Sequence, residues 1–171
     1  MTATVDAQAP SGNRRIRIAL IVIAAIQALG ALWDIPGIFY DFNPTTPLGK
    51  FAQTLGKVDH VLALPLTFAA LYFAIASRLR PAIAAIAIRI LVTWLCDLPS
   101  IGIHGIEWSL TFGGIQVAAY QIGAPIIALA ALYLARRNER LGLATLLVAL
   151  PTILFWLGVL AFAVSAMIYG F

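Results

Sequence analysis

Asp34, Asp41, Asp59, Asp97 and Glu107, five of the seven acidic residues, crowd with His60 and His104 at or near the ends of apolar segments. Alternating passage through a membrane would bring all of them to one side. Asp34, Asp59 and Asp97 fall within the apolar segments. A carboxylate at mid-helix in hydrocarbon costs about 2.5–3.5 kcal/mol on insertion scales, so it turns toward a protein interior or a cavity. Such a group can anchor a cation or move a proton. Asp59 and His60 are adjacent, so they point to different faces of a helix and at most one faces a given site. His104 and Glu107 stand three apart, a spacing used by carboxylate–histidine metal sites, but Gly102 and Gly105 argue for a loop there. No ligand motif supports a metal. No nucleotide loop, hydrolase triad, haem ligand pair or phosphate cradle is present, and no cofactor is expected.

The elements that must position these acids are membrane helices. The chain has 171 residues, 62% hydrophobic and 11% charged, with mean hydropathy +0.96; soluble domains carry about 25% charge. A span needs about 20 mostly apolar residues. Five fit: 16–38, 58–78, 82–103, 114–135 and 141–169. The expected fold class is an all-α, five-helix transmembrane domain over 14–171, preceded by a polar, disordered tail at 1–13. Ile18–Trp33 is longer than a signal-peptide core of 7–15 residues and is read as a retained helix. Cys96 is the single cysteine, which excludes an internal disulfide.

Basic residues alternate with the spans. Arg14, Arg15 and Arg17 precede the first, Arg78 and Arg80 separate the second and third, and Arg136, Arg137 and Arg140 separate the fourth and fifth. The other two connections hold Lys50 and Lys57. This asymmetry predicts a cytoplasmic N-terminus, with the acids on the far side. The net charge of +4 therefore reads as an orientation signal and not as a nucleic-acid surface. Trp33, Trp94 and Trp108 fall near the far boundary, either as an interfacial belt or, for Trp33 and Trp94, as walls of a pocket. Pro65, Pro125 and Pro151 each remove a backbone donor inside a span and can free a carbonyl. Arg89 is the one basic residue deep in a span. It either snorkels toward the basic end or pairs with Gln27, Gln116, Gln121 or an acid. Asp97 lies about 12 Å further along the helix, too far for a direct bridge.

Leu32-Trp33-Asp34-Ile35-Pro36-Gly37-Ile38 is similar to Leu95-Cys96-Asp97-Leu98-Pro99-Ser100-Ile101, and Ala69–Ala74 to Ala130–Ala135. Spans 1–2 and 3–4 thus read as two copies of a helical hairpin, related by an axis along the membrane normal. That axis would bring Asp34 and Asp97 together at the outer end of a cavity. Each Asp-x-Pro is expected to break its helix.

Three stretches in order carry a resemblance to a known family. They are Asp34 followed by a proline-containing loop to Pro44, Asp59 six residues before Pro65, and Arg80-Pro81-Ala82 opening a span that holds Asp97; Tyr120 and Pro125 add to them. Residues 17–137 resemble the EXPERA superfamily, which includes the emopamil-binding sterol isomerases and the sigma-2 receptor. The resemblance implies a cavity for a sterol or a cationic amphiphile, with Asp34 and Asp59 as paired acids and Asp97 behind them. Two carboxylates in low dielectric repel, and an entering cation relieves that repulsion. The chain departs from the isomerases where Gly30 replaces a histidine, and where Tyr120 and Gln121 stand in place of an Asn and a Trp. The resemblance therefore implies binding more than catalysis.

The expected function is the binding of a hydrophobic or cationic small molecule by Asp34, Asp59, Asp97, Trp33, Trp94, Tyr120 and Gln121. Sterol-type isomerisation is its catalytic version. A cation- or proton-coupled carrier would need further copies of the chain. A structural subunit would sit in a larger membrane complex, with faces such as Ala24-Ala25-Ala28 as helix contacts. Abundant alanine and short loops point to a bacterial inner membrane.

Overall fold

The computed structural model describes residues 11–39, 45–106 and 111–170. They form five helices: α1 (Ser11–Trp33), α2 (Pro47–Ile75), α3 (Leu79–His104), α4 (Phe112–Arg137) and α5 (Leu141–Tyr169). A short 3-10 helix, Ile35–Phe39, follows α1. No strand occurs among the described residues. All five helices are long and apolar enough to cross a membrane. The 1–13 tail lies outside the described residues up to residue 10, and α1 is already helical at Ser11.

Helix ends follow local chemistry more than hydropathy. α2 begins well before the expected 58, because Thr46 accepts from the Gly49 amide at 3.1 Å and Pro47 sits at the first helical position. The added turns carry Lys50, Gln53 and Lys57, so they are helical without being apolar. Thr111 caps α4 in the same way, accepting from Gly114 N at 3.2 Å. The two Asp-x-Pro motifs fold differently. α1 stops before Asp34, and Ile35-Pro36-Gly37 winds into the 3-10 turn. In α3 the helix runs through Pro99 to His104, so the expected break is absent there.

α3 is the hub. It packs against each of the other four helices, while α2–α1, α1–α5 and α5–α4 are neighbours around it. No contact joins α2 to α4, so the ring about α3 is open on that side. The core is built from small residues, including Ala24, Ala70, Ala74, Ala82, Ala87, Ala128, Ala131 and Ala144, all completely buried, with Leu20, Ile83 and Val148 between them. Without a hydrophobic drive between helices in lipid, close approach over alanine is what holds them. Nearly all of these residues lie in the half of the bundle nearest the arginines. Two polar contacts tie separate elements at that same end. Arg17 Nη2 donates to the Ile75 carbonyl at 2.8 Å, an orphan at the end of α2, and Arg80 Nε donates to Asn138 Oδ1 at 2.7 Å. The Arg137 guanidinium lies over the Tyr133 ring, 4.8 Å from its centroid.

Ala128, with no exposed surface at the heart of this core, has no room for a larger side chain. Ala128→Leu is expected to cost about 1–3 kcal/mol by overpacking. Leu129→Ala, at the exposed neighbouring position, should shift stability by less than about 1 kcal/mol. Thermal unfolding of both variants in detergent micelles checks the contrast.

Candidate functional site

Arg89 lies ten residues beyond Leu79, the first residue of α3, about 15 Å along the helix. That is near the middle of a hydrocarbon layer about 30 Å thick. An unpaired guanidinium there would be very costly. It is paired: Arg89 Nη1 meets Asp59 Oδ1 of α2 at 2.8 Å, and Nη2 faces Oδ2 at 3.4 Å, a two-pronged contact suited to the planar fork of arginine. The two side chains retain only 19% and 13% exposure. Thr93, one turn further along α3, places its hydroxyl 3.1 Å from the same Asp59 oxygen and 3.0 Å from the Arg89 carbonyl. The guanidinium thus meets the carboxylate that Thr93 touches, and does not run back toward the basic end.

The polar stripe continues at the same four-residue spacing to Asp97, which is exposed and has no ion pair or hydrogen bond among the described residues. On α4, Tyr120 lies beside Thr93, close enough for a side-chain interaction. Three helices therefore contribute to one polar patch around Thr93.

Asp97 opens onto a cavity of about 720 Å³ between α3, α4 and α5. Tyr120, Gln121 and Gln116 give it a polar margin, and Phe155 and Phe162 of α5 are among its apolar walls. Gln116 Nε2 donates to the Leu154 carbonyl at 3.0 Å. Its carboxamide lies against Gly158, where a Cβ would overlap it and the Gln116 side chain would have to shift. Pro125 explains another contact. Lacking an N–H, it leaves the carbonyl of Gln121, four residues earlier, without its helical donor. Trp94 Nε1 supplies the replacement at 2.8 Å. The freed carbonyl anticipated at a proline kink is thus closed by a tryptophan and is not offered to a ligand.

Of the residues singled out from sequence, Asp59, Asp97, Trp94, Tyr120 and Gln121 come together around Thr93. Asp97, Tyr120 and Gln121 line the cavity. Trp94 packs on the core behind it, and Asp59 is engaged by Arg89. Asp34 and Trp33 do not join them: Asp34 is exposed just past the end of α1, and Trp33 is 86% exposed. No residue of α1 lines this cavity. His60 faces the 3-10 turn, its Nε2 3.1 Å from where a Cβ on Gly37 would lie. Asp41, Glu107 and Trp108 lie outside the described residues. Among those described, no group of three metal-ligating side chains converges. Sequence reasoning passed over Thr93, Ser100, Gly158 and the aromatic face of α5. The available signal was the run Arg89, Thr93, Asp97, polar at every fourth position of an apolar helix.

Asp59→Asn would leave the Arg89 guanidinium buried without a counter-charge. We expect a loss of about 3–5 kcal/mol, with most of it recovered in the double variant Asp59→Asn/Arg89→Met. A double-mutant cycle on unfolding in detergent measures it, and equal losses in the single and double variants would contradict the assignment.

No family model, curated protein or solved structure significantly matches the chain.

Proposed function

We propose that this is an integral membrane protein that holds a hydrophobic or cationic small molecule, of sterol or isoprenoid class, in the α3–α4–α5 cavity. The observation that carries the reading is Asp97, a carboxylate without an ion pair among the described residues, lining an otherwise largely apolar chamber. An entering ammonium group would pair with Asp97, and its apolar body would lie along Phe155 and Phe162. A ring face near a desolvated cation adds about 0.5–2 kcal/mol. On this reading the charge anchor is Asp97, and Asp59 acts by neutralising Arg89, not by meeting ligand. The arginine-rich end is the cytoplasmic one, so the cavity faces the other side of a bacterial inner membrane. The ordered acids and prolines of residues 17–137 support a place beside the EXPERA superfamily. Binding is favoured over isomerisation by the count of free acids. Moving a double bond needs one group to protonate and another to remove a proton, while among the described residues Asp97 is the one carboxylate lining the cavity.

The test is saturable binding of a lipophilic tertiary amine to the purified protein in mild detergent. Asp97→Asn is expected to weaken it by about tenfold or more, since hydrogen bonds to charged groups contribute about 1.5–3 kcal/mol. Asp34→Asn should leave it unchanged. Undiminished binding by Asp97→Asn, or no saturable binding by wild type, overturns the reading.

A further inference from the structure

A second groove lies away from this cavity, between α1 and α5, with a volume of about 790 Å³. Among the described residues its walls are apolar apart from Arg15, Thr145 and Thr152, and Arg15 is the one that carries charge. α1 and α5 both start at the basic end and run side by side. Gly142 lies level with Ile16, whose Cδ1 is 3.9 Å from where a Cβ on Gly142 would sit. Further along, Gln27 Nε2 donates to Thr152 Oγ1 at 2.8 Å and pins the two helices together. The groove therefore has a defined mouth, at Arg15 and Gly142, and a defined depth.

The depth of the two-walled part and the charge at its mouth together select the occupant. The α1 wall runs from Arg15 to Ile26, about 17 Å of helical rise. This is close to half of a hydrocarbon core about 30 Å thick, and beyond it only α5 residues such as Trp156 and Leu160 remain. The two-walled part is one leaflet deep, the length of one acyl chain, while the α5 wall alone continues to Leu160. The mouth is cationic, with Arg14 exposed beside Arg15 and Arg140 leading into α5. Basic sites between membrane helices at the headgroup level take anionic lipid heads.

We infer that the α1–α5 groove is a binding site for an anionic phospholipid, its phosphate on Arg15 and an acyl chain lying between the helices past Ala19 and Ala149. Small residues at Ala19, Gly142 and Ala149 keep the channel open. This site is independent of the proposed cavity ligand and of which face of the membrane the basic end occupies.

Native mass spectrometry of the detergent-purified protein, titrated separately with phosphatidylglycerol and phosphatidylcholine, tests it. Wild type is expected to retain phosphatidylglycerol preferentially. Arg15→Gln should lower that occupancy about fivefold, the effect of one basic residue at the headgroup level. Ala19→Phe, which plugs the channel, should lower it while Arg15 is intact. Arg137→Gln, on α4 and stacked on Tyr133, should leave it unchanged. Equal retention of the two lipids, or no response to Arg15→Gln and Ala19→Phe, overturns the inference. A dimer mass lost in Ala19→Phe without any lipid adduct would assign the groove to a second copy of the chain and also overturn it.

Discussion

The contact between Asp59 and Arg89 sets the terms for the rest of the molecule. An arginine at mid-membrane depth is tolerated only with a partner, and the partner comes from the preceding helix in the chain. That requirement fixes how α2 and α3 lie against each other. Asp59 is taken up by Arg89, whereas Asp97, two turns further along the same helix, has no ion pair among the described residues. A buried ion pair is weak evidence for stability, because desolvation offsets much of the attraction. Here its weight is in register, since Thr93 and Arg89 can both reach one carboxylate only when the hairpin is aligned as found.

The same rule governs the backbone. In hydrocarbon each freed carbonyl needs a donor from the protein. The Gln121 carbonyl, exposed by Pro125, takes the Trp94 indole, and the Ile75 carbonyl at the end of α2 takes Arg17. Residues that look like ligand contacts in a linear chain thus divide into two kinds. Trp94 closes a gap in a helix, whereas Asp97 and Tyr120 face open space. Gln116 does both, bonding to the α5 backbone while lining the cavity.

The helical architecture was legible because span length and the alternation of arginine clusters follow directly from the physics of the bilayer. Much of the polar cluster was legible too, since the cost of an acid in an apolar segment marks Asp59 and Asp97 without any fold. What could not be read was pairing. Asp34 and Asp97 sit in heptapeptides that share four of seven residues, yet one helix ends and the other continues through its proline, so the Asp-x-Pro motif alone does not decide the break. Arg89 offered several acceptors at similar depth, and only the α2–α3 alignment selects Asp59. The α5 contribution to the cavity left no mark in sequence, as apolar residues facing a void and apolar residues facing lipid are chemically the same.

The bundle is fastened unevenly. Its interlocked alanines and its Arg17–Ile75 and Arg80–Asn138 ties lie at one end, where the connections at 76–78 and 138–140 are tight enough to force Ser77, Asn138 and Arg140 into left-handed backbone conformations. At the other end the chain takes longer excursions and leaves a chamber in place of a core. Buried contacts are therefore concentrated at the basic end, and stability within a fold follows the density of such contacts. The chamber end has a lighter tie of its own, the Gln116 carboxamide on the Leu154 carbonyl, which joins α4 to α5 with a single hydrogen bond instead of a packed alanine seam.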